Sequence, residues 1–117
     1  MMQEERQLLL TDLCARLPYG VICKSNSYNN ILFNSSHISL IESEEIKPYL
    51  RSIDSMTEEE KKEFGIIACE GNIDYPYGIF FRCQDWLNKN MFDYRDLIDK
   101  GLAIEVTEEK NPYEIRG

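Results

Sequence analysis

The polar and apolar positions of this chain repeat with two periods, and the change of period divides it. Leu10, Leu13, Cys14 and Leu17 recur at i, i+3, i+4 and i+7, an apolar stripe of helical period. Glu4, Arg6, Asp12 and Arg16 supply its polar positions, and the pattern predicts an N-terminal helix. Pro18 ends that helix, because a proline disfavours helical backbone at the residue before it, and Tyr19-Gly20 makes the corner. Beyond the corner the period falls to two. Residues 21–23, 31–33 and 37–41 read as three short strands, with polar turns at 25–30 and 34–36. In the third, Ile38 and Leu40 alternate with His37, Ser39 and Ile41, which suggests one buried face. Strands at this spacing predict a small antiparallel meander, with a partly open SH3-like barrel as the leading topology. Residues 46–51 continue the sheet or connect it, and Pro48 keeps them out of a central strand because it cannot donate to a ladder.

The clearest local signal follows. Thr57-Glu58-Glu59-Glu60 is a capping box: the Thr57 hydroxyl can accept from the Glu60 amide, and the Glu60 carboxylate can reach back to the Thr57 amide. The three acids also suit the positive end of a helix dipole. A helix is therefore predicted over 58–65, weakening at Gly65 or continuing through 66–69. Residues 70–78 read as a loop, with Tyr75-Pro76-Tyr77-Gly78 a turn candidate, and 79–82 as a strand or buried connector. Asp85 can cap a short helix over 84–89 that carries Trp86 and Leu87, and Asp93 another over 94–100 with Leu97 and Ile98 inward. Gly101 suits the left-handed position after that helix, which brings Leu102 onto Leu97 in a Schellman motif. A final strand is expected within 102–106 and a frayed tail from about 107. The pattern is that of a single α+β domain over 1–117: an N-terminal helix, a small antiparallel sheet and short C-terminal helices.

Composition narrows the function classes. With 43% hydrophobic and 29% charged residues, the chain is ordinary for a globular domain. No apolar run approaches the roughly 18 residues of a membrane span. The first residues carry Glu4 and Glu5 rather than a basic leader, so a cytoplasmic location is expected. Twenty-one acids stand against thirteen bases, and the excess is uneven: residues 1–50 carry six acids and four bases, residues 51–117 fifteen and nine. Nucleic-acid affinity comes largely from Lys and Arg neutralising phosphates, so this balance opposes a DNA or RNA partner. The only adjacent basic pair, Lys61-Lys62, is flanked by acids. Cys14, Cys23, Cys69 and Cys83 never reach CxxC spacing, and His37 is the only histidine. The four cysteines read as reduced, partly buried small side chains, and His37 as a surface or turn residue.

Three segments carry a resemblance. They are Thr11-Asp12-Leu13-Cys14-Ala15-Arg16-Leu17-Pro18-Tyr19-Gly20-Val21; Ile46-Lys47-Pro48-Tyr49-Leu50-Arg51 followed by Ser55-Met56-Thr57-Glu58-Glu59-Glu60; and Phe92-Asp93-Tyr94-Arg95 with Leu97-Ile98 and Lys100-Gly101-Leu102-Ala103. Their order and spacing resemble a family of small uncharacterised proteins from Bacteroidales genomes, prophages and mobile elements. The similarity covers about a third of the chain. It implies a gut-bacterial or phage context and no particular activity. The chain departs from that family's pattern at Ser52, where a proline is usual, at Met91, where a histidine is usual, and at Asp96, where a glycine is usual.

Catalytic and cofactor chemistry finds no foothold in the sequence. Neither a GxxxxGK[ST] nor a GxGxxG loop occurs, and no Ser-His-Asp or Cys-His arrangement is visible. Asp93, Asp96 and Asp99 recur at i, i+3 and i+6 and read as a cap followed by solvated positions, not as a cation site. The expectation is a non-enzymatic protein without metal or cofactor. Aromatic residues remain, crowded between Tyr75 and Tyr94. Such side chains build both cores and interface hot spots. Tyr49, Arg51, Tyr75, Tyr77, Trp86, Tyr94 and Arg95 are accordingly the candidates for contact with a protein partner or a second copy. The favoured function is a protein–protein interaction or accessory module. The alternative is a small acidic inhibitor that mimics nucleic-acid charge, using Glu58, Glu59, Glu63, Glu70, Asp74, Asp93, Asp96 and Asp99. A second alternative is an unrecognised small-ligand sensor or enzyme.

Overall fold

The structure is a computed structural model that describes residues 3–26, 30–43, 46–69 and 76–113, with side chains except at 66–69 and 76–82. Helix α1 (Gln3–Arg16) gives way to a 3-10 turn over Leu17–Tyr19 at Pro18. Gly20 then turns the chain at φ 79°, its N–H bonded to the Leu17 carbonyl. The buried face of α1 is rotated from the apolar stripe of the sequence. Leu9, Leu13, Asp12 and Arg16 are buried, while Cys14 is exposed. Two charged residues replace apolar ones on that face because Arg16 binds Asp12 in place, which makes their joint burial tolerable.

Strand β1 (Ile22–Ser25) pairs antiparallel with β2 (Asn30–Leu32), Cys23 opposite Ile31. The expected third strand does not form; residues 35–42 are helical. The Asn34 side chain accepts from the Ser36 N–H at 2.8 Å, and the Asn34 N–H donates to His37 Nδ1 at 3.1 Å. This is a capping box with an imidazole where Glu or Gln is usual. It starts a 3-10 turn (Ser35–His37) that runs into α2 (Ile38–Glu42). Only Ile41 of α2 is buried and Ile38 is exposed, so the alternation of the sequence marks no buried strand face.

Strand β3 (Ile46–Ser52) is the centre of the sheet, in spite of Pro48. Residues 46–48 pair with β1, whereas the two remaining strands pair only with residues 49–52. At Pro48 itself β3 thus has a single neighbour, and the missing N–H interrupts no ladder on the other side. Those remaining strands, β4 (Phe92–Asp93) and β5 (Ile104–Glu105), run parallel to β3. The domain is α+β with an open, mixed sheet of order β2-β1-β3-β4 and β5 also on β3. The antiparallel part is confined to β1, β2 and the first half of β3.

The Thr57 capping box is formed: the Thr57 N–H donates to Glu60 at 3.0 Å and the Glu60 N–H to Thr57 Oγ1 at 3.1 Å. It opens α3 (Glu58–Cys69), which runs through Gly65. Helix α4 (Pro76–Lys89) takes in the expected turn from Pro76, the connector at 79–82 and Asp85, which is exposed in mid-helix rather than a cap. Pro76 suits the first helical position, where its missing N–H would be unpaired in any residue. Residues 94–100 form turns in place of a helix. The Asp93 carboxylate accepts from the N–H groups of Arg95, Leu97 and Ile98, as a cap does. The Schellman motif is present: the Leu102 N–H reaches the Leu97 carbonyl, the Gly101 N–H reaches Ile98, and Gly101 has φ 74°. Asp96 has φ 58°, a left-handed conformation that aspartate tolerates better than most side chains.

Two apolar clusters result. One joins Leu9 and Leu13 of α1 to Val21, Cys23, Ile46, Leu50 and Leu97. The other holds Trp86, Leu87 and Phe92 beside Phe64 of α3. The segment expected to fray folds back as far as the description extends: Thr107 and Lys110 close a turn, and Tyr113 packs on the first cluster. Among the described residues no helix is long and apolar enough to cross a membrane.

Candidate functional site

An open groove of about 940 Å³ lies beside the C-terminal half of β3. Two segments frame it. One is the turn from α4 into β4, which contributes Lys89, Asn90 and Met91; the other leaves β5 through Val106, Thr107 and Glu108 to Asn111 and Tyr113. Both are tied to β3 by its backbone: the Val106 N–H donates to the Leu50 carbonyl at 2.8 Å, and the Arg51 N–H to the Met91 carbonyl at 2.7 Å. Met91 makes its turn at φ 61°, a left-handed conformation unusual for a side chain of this size. Tyr19, exposed at the corner after α1, completes the rim.

Arg51 is the charged group best fixed in the groove. Its two terminal nitrogens bind the Glu60 carboxylate at 2.7 and 2.6 Å, a bidentate pair, and its guanidinium lies 4.2 Å over the Phe92 ring. Glu60 serves the helix cap and the ion pair with one carboxylate. The Arg51 hydrogen bonds hold that carboxyl below its ordinary 4.5, against the opposing effect of burial, and the Thr57 N–H adds to them. Lys89, in contrast, is exposed and makes no ion pair with a described residue.

A second polar assembly, fully buried at its centre, meets the Phe92 strand. Asp12, fully buried, accepts from Arg16 Nε at 2.9 Å, from Arg16 Nη2 at 3.0 Å and from Arg95 Nη1 at 2.7 Å. Arg16 Nη2 also donates to the Phe92 carbonyl at 2.7 Å. The Tyr94 ring takes both cations, Arg95 at 4.5 Å and Arg16 at 5.5 Å from its centroid. Asp12 and Arg16 of α1 thus meet Phe92, Tyr94 and Arg95, and the Arg51–Glu60 pair lies next to them across the Phe92 ring. The result is a charge network that ties α1, β3 and β4 together.

Of the described candidate partner contacts, Arg51 alone lines the groove. Tyr49 is buried in β3 and Trp86 is buried against Phe92, stacked at 5.5 Å. Tyr94 and Arg95 are half-buried, Tyr94 donating its hydroxyl to Asn88 and Arg95 bound to Asp12. Tyr75 and the Tyr77 side chain lie outside the described residues. The acidic face is also thinner than its sequence: Asp93 is buried as a cap, while Glu58, Glu59, Glu63, Asp96 and Asp99 are exposed. Glu70 and Asp74 lie outside the described residues. Among the described residues no three His, Cys, Asp or Glu side chains gather as a metal site would require. His37 lies by α2, its Nδ1 occupied by the cap. Burial pushes the Cys23 thiol up to about 12, helped by the Asp12 charge, which leaves it protonated and unreactive.

The residues that sequence reading missed are Tyr19, Lys89, Asn111 and Tyr113. Tyr113 was hidden in a polar tail; the turn-former pair Asn111-Pro112 just before an aromatic was its one local signal. No family model, curated protein or solved structure matches the chain.

Proposed function

We propose that this chain is a protein–protein interaction or accessory module whose partner, a protein segment, lies in the groove beside β3. A gut-bacterial, phage or mobile-element setting is part of this proposal and rests on the resemblance of the three sequence segments alone. The observation that carries the reading is the make-up of the groove. It is open, and its lining mixes tyrosines (Tyr19, Tyr113), amide and hydroxyl side chains (Asn90, Asn111, Thr107) and the exposed Lys89, which makes no ion pair with a described residue. Tyrosine with adaptable polar neighbours is the composition of interface hot spots. A small substrate is held in an enclosed, largely apolar cleft, which this groove is not. Glu108, the only carboxylate among its described lining residues, is exposed.

Tyr19→Ala combined with Lys89→Glu alters two exposed rim positions and leaves the core intact. Wild-type protein is used to capture partners from a Bacteroidales host lysate, and the double variant is run beside it. The reading expects a protein retained by the wild type and reduced about tenfold by the variant, the effect of roughly 1.4 kcal/mol at a hot spot. Light scattering of the purified chain tells a second copy from a foreign partner. Equal capture by both forms, or retention of a nucleotide or other small ligand alone, overturns it.

A further inference from the structure

The β1–β3 ladder stops one pair short of where its own register would carry it. Ser25 faces Ile46, Lys24 faces Lys47 and Cys23 faces Pro48, so Ile22 and Tyr49 come next. The Ile22 N–H does not go to the Tyr49 carbonyl. It donates to the Tyr113 hydroxyl at 2.9 Å, and that hydroxyl lies 2.8 Å from the Tyr49 carbonyl and 3.2 Å from that of Ile22. With one proton to give, the hydroxyl is best placed to relay the bond from Ile22 to Tyr49. A side chain 91 residues away in sequence is thus inserted into the sheet in place of a backbone hydrogen bond. Apart from the Tyr113 ring, which packs on the first apolar cluster, the segment that carries it is weakly held. Residues 107–111 are all exposed, and their hydrogen bonds are local: a turn between Thr107 and Lys110, and Asn111 Oδ1 accepting from the Tyr113 N–H. Val106 is the last residue before them bonded to β3.

We propose that residues 107–113 are a displaceable strap, latched by the Tyr113 hydroxyl, whose release lets Ile22 and Tyr49 close into a direct ladder pair. The two backbone groups that the hydroxyl bridges are each other's natural partners. Withdrawing Tyr113 therefore leaves no orphaned donor or acceptor in the sheet, the condition under which a buried hydrogen-bonding group can leave cheaply. The element has two satisfied arrangements, strap in and strap out. Tyr113, Asn111, Glu108 and Thr107 line the groove, so strap release reshapes it. If the groove takes a protein segment, as proposed above, that segment rests partly on the latched strap and favours the strap-in arrangement; the latch itself does not depend on that reading.

Amide hydrogen exchange followed by NMR on the full chain tests it, comparing wild type with Tyr113→Phe, which keeps the ring and removes the hydroxyl. The expected result is that the two hydrogen-bonded amides of the strap, Lys110 and Tyr113, exchange about tenfold faster in the variant, the effect of losing one anchoring bond, while Ile22 keeps its protection through Tyr49. A thermal melt of the variant confirms that it is folded. Loss of Ile22 protection in step with the strap shows that the gap stays open and the hydroxyl is a fixed prop, and overturns the proposal. Unchanged protection of Lys110 and Tyr113 overturns it as well. Neither result touches the capture experiment, so the latch and the groove reading fail separately.

Discussion

Replacing Asp12 by alanine tests what holds α1 to the rest of the domain. The carboxylate has no exposure and accepts three charge-assisted hydrogen bonds, two from Arg16 and one from Arg95. Its removal leaves Arg16, also without exposure, holding only the Phe92 carbonyl and the face of Tyr94. Arg16 Nη1 already has no hydrogen-bond partner, so no spare acceptor stands ready to take over. Breaking a buried ion pair by deleting one member costs about 3–5 kcal/mol, because the other charge stays buried. A domain of this size has about 5–15 kcal/mol in all, so Asp12→Ala removes at least about a fifth of it. Urea unfolding read by the fluorescence of Trp86, the single tryptophan, gives the value directly. At a slope of about 1.5 kcal/mol/M the midpoint falls by about 2–3 M with little change of slope. The companion variant, Asp12→Leu with Arg16→Met, removes both buried charges and leaves Arg95, whose side chain is 17% exposed, free to turn to water. It recovers at least half of the loss, since a buried pair replaced by apolar side chains is often close to neutral. A loss below about 1 kcal/mol in the single variant would refute the reasoning. So would a double variant as unstable as the single one, since the defect would then be packing rather than an uncompensated charge.

Two glycines should respond with opposite signs to alanine. Gly101, at φ 74°, loses about 1 kcal/mol, while Gly65, inside α3 with nothing within 4 Å of an added methyl, gains about 0.5–1 kcal/mol, both read from urea midpoints. The Glu60 carboxyl is held low by Arg51, so its contribution is complete above its ordinary value of 4.5 and is lost as the pH falls through the lower folded value. Melting of Glu60→Gln beside wild type therefore shows its largest deficit near pH 7, shrinking toward pH 3; a deficit that grows on acidification contradicts the assignment. Burial raises the Cys23 thiol from 9 to about 12 and also raises the Tyr113 hydroxyl, so their contributions are present below pH 9 and decline above it. Melting temperature should fall steadily from pH 9 to 11. A thiol reagent at neutral pH should label exposed Cys14 at once and Cys23 only on unfolding, as peptide mass mapping will show.

The sequence by itself determined the features whose partners lie within one turn of chain. The Thr57–Glu60 box, the Asp93 cap, the Pro18–Gly20 corner and the Schellman closure at Gly101 each join groups at most five residues apart, so residue type and spacing suffice. The α+β class was legible too, from the shift of period after Pro18. Residues 35–42 show the limit of that reading, since alternation over a few residues is ambiguous and a histidine cap decided for helix. Tertiary structure alone decided the rest. Asp12 and Arg16 have the i, i+4 spacing of an ordinary surface pair, and only Arg95, 83 residues later, makes them a buried one. Pro48 argued against a central strand, and only the staggered arrival of β5 and β4 beyond it makes the centre available. The groove and the Tyr113 latch share this character, because they are built where segments distant in sequence meet on β3. A hydrogen bond across 91 residues leaves no periodicity to read; its geometry exists only once the sheet has formed.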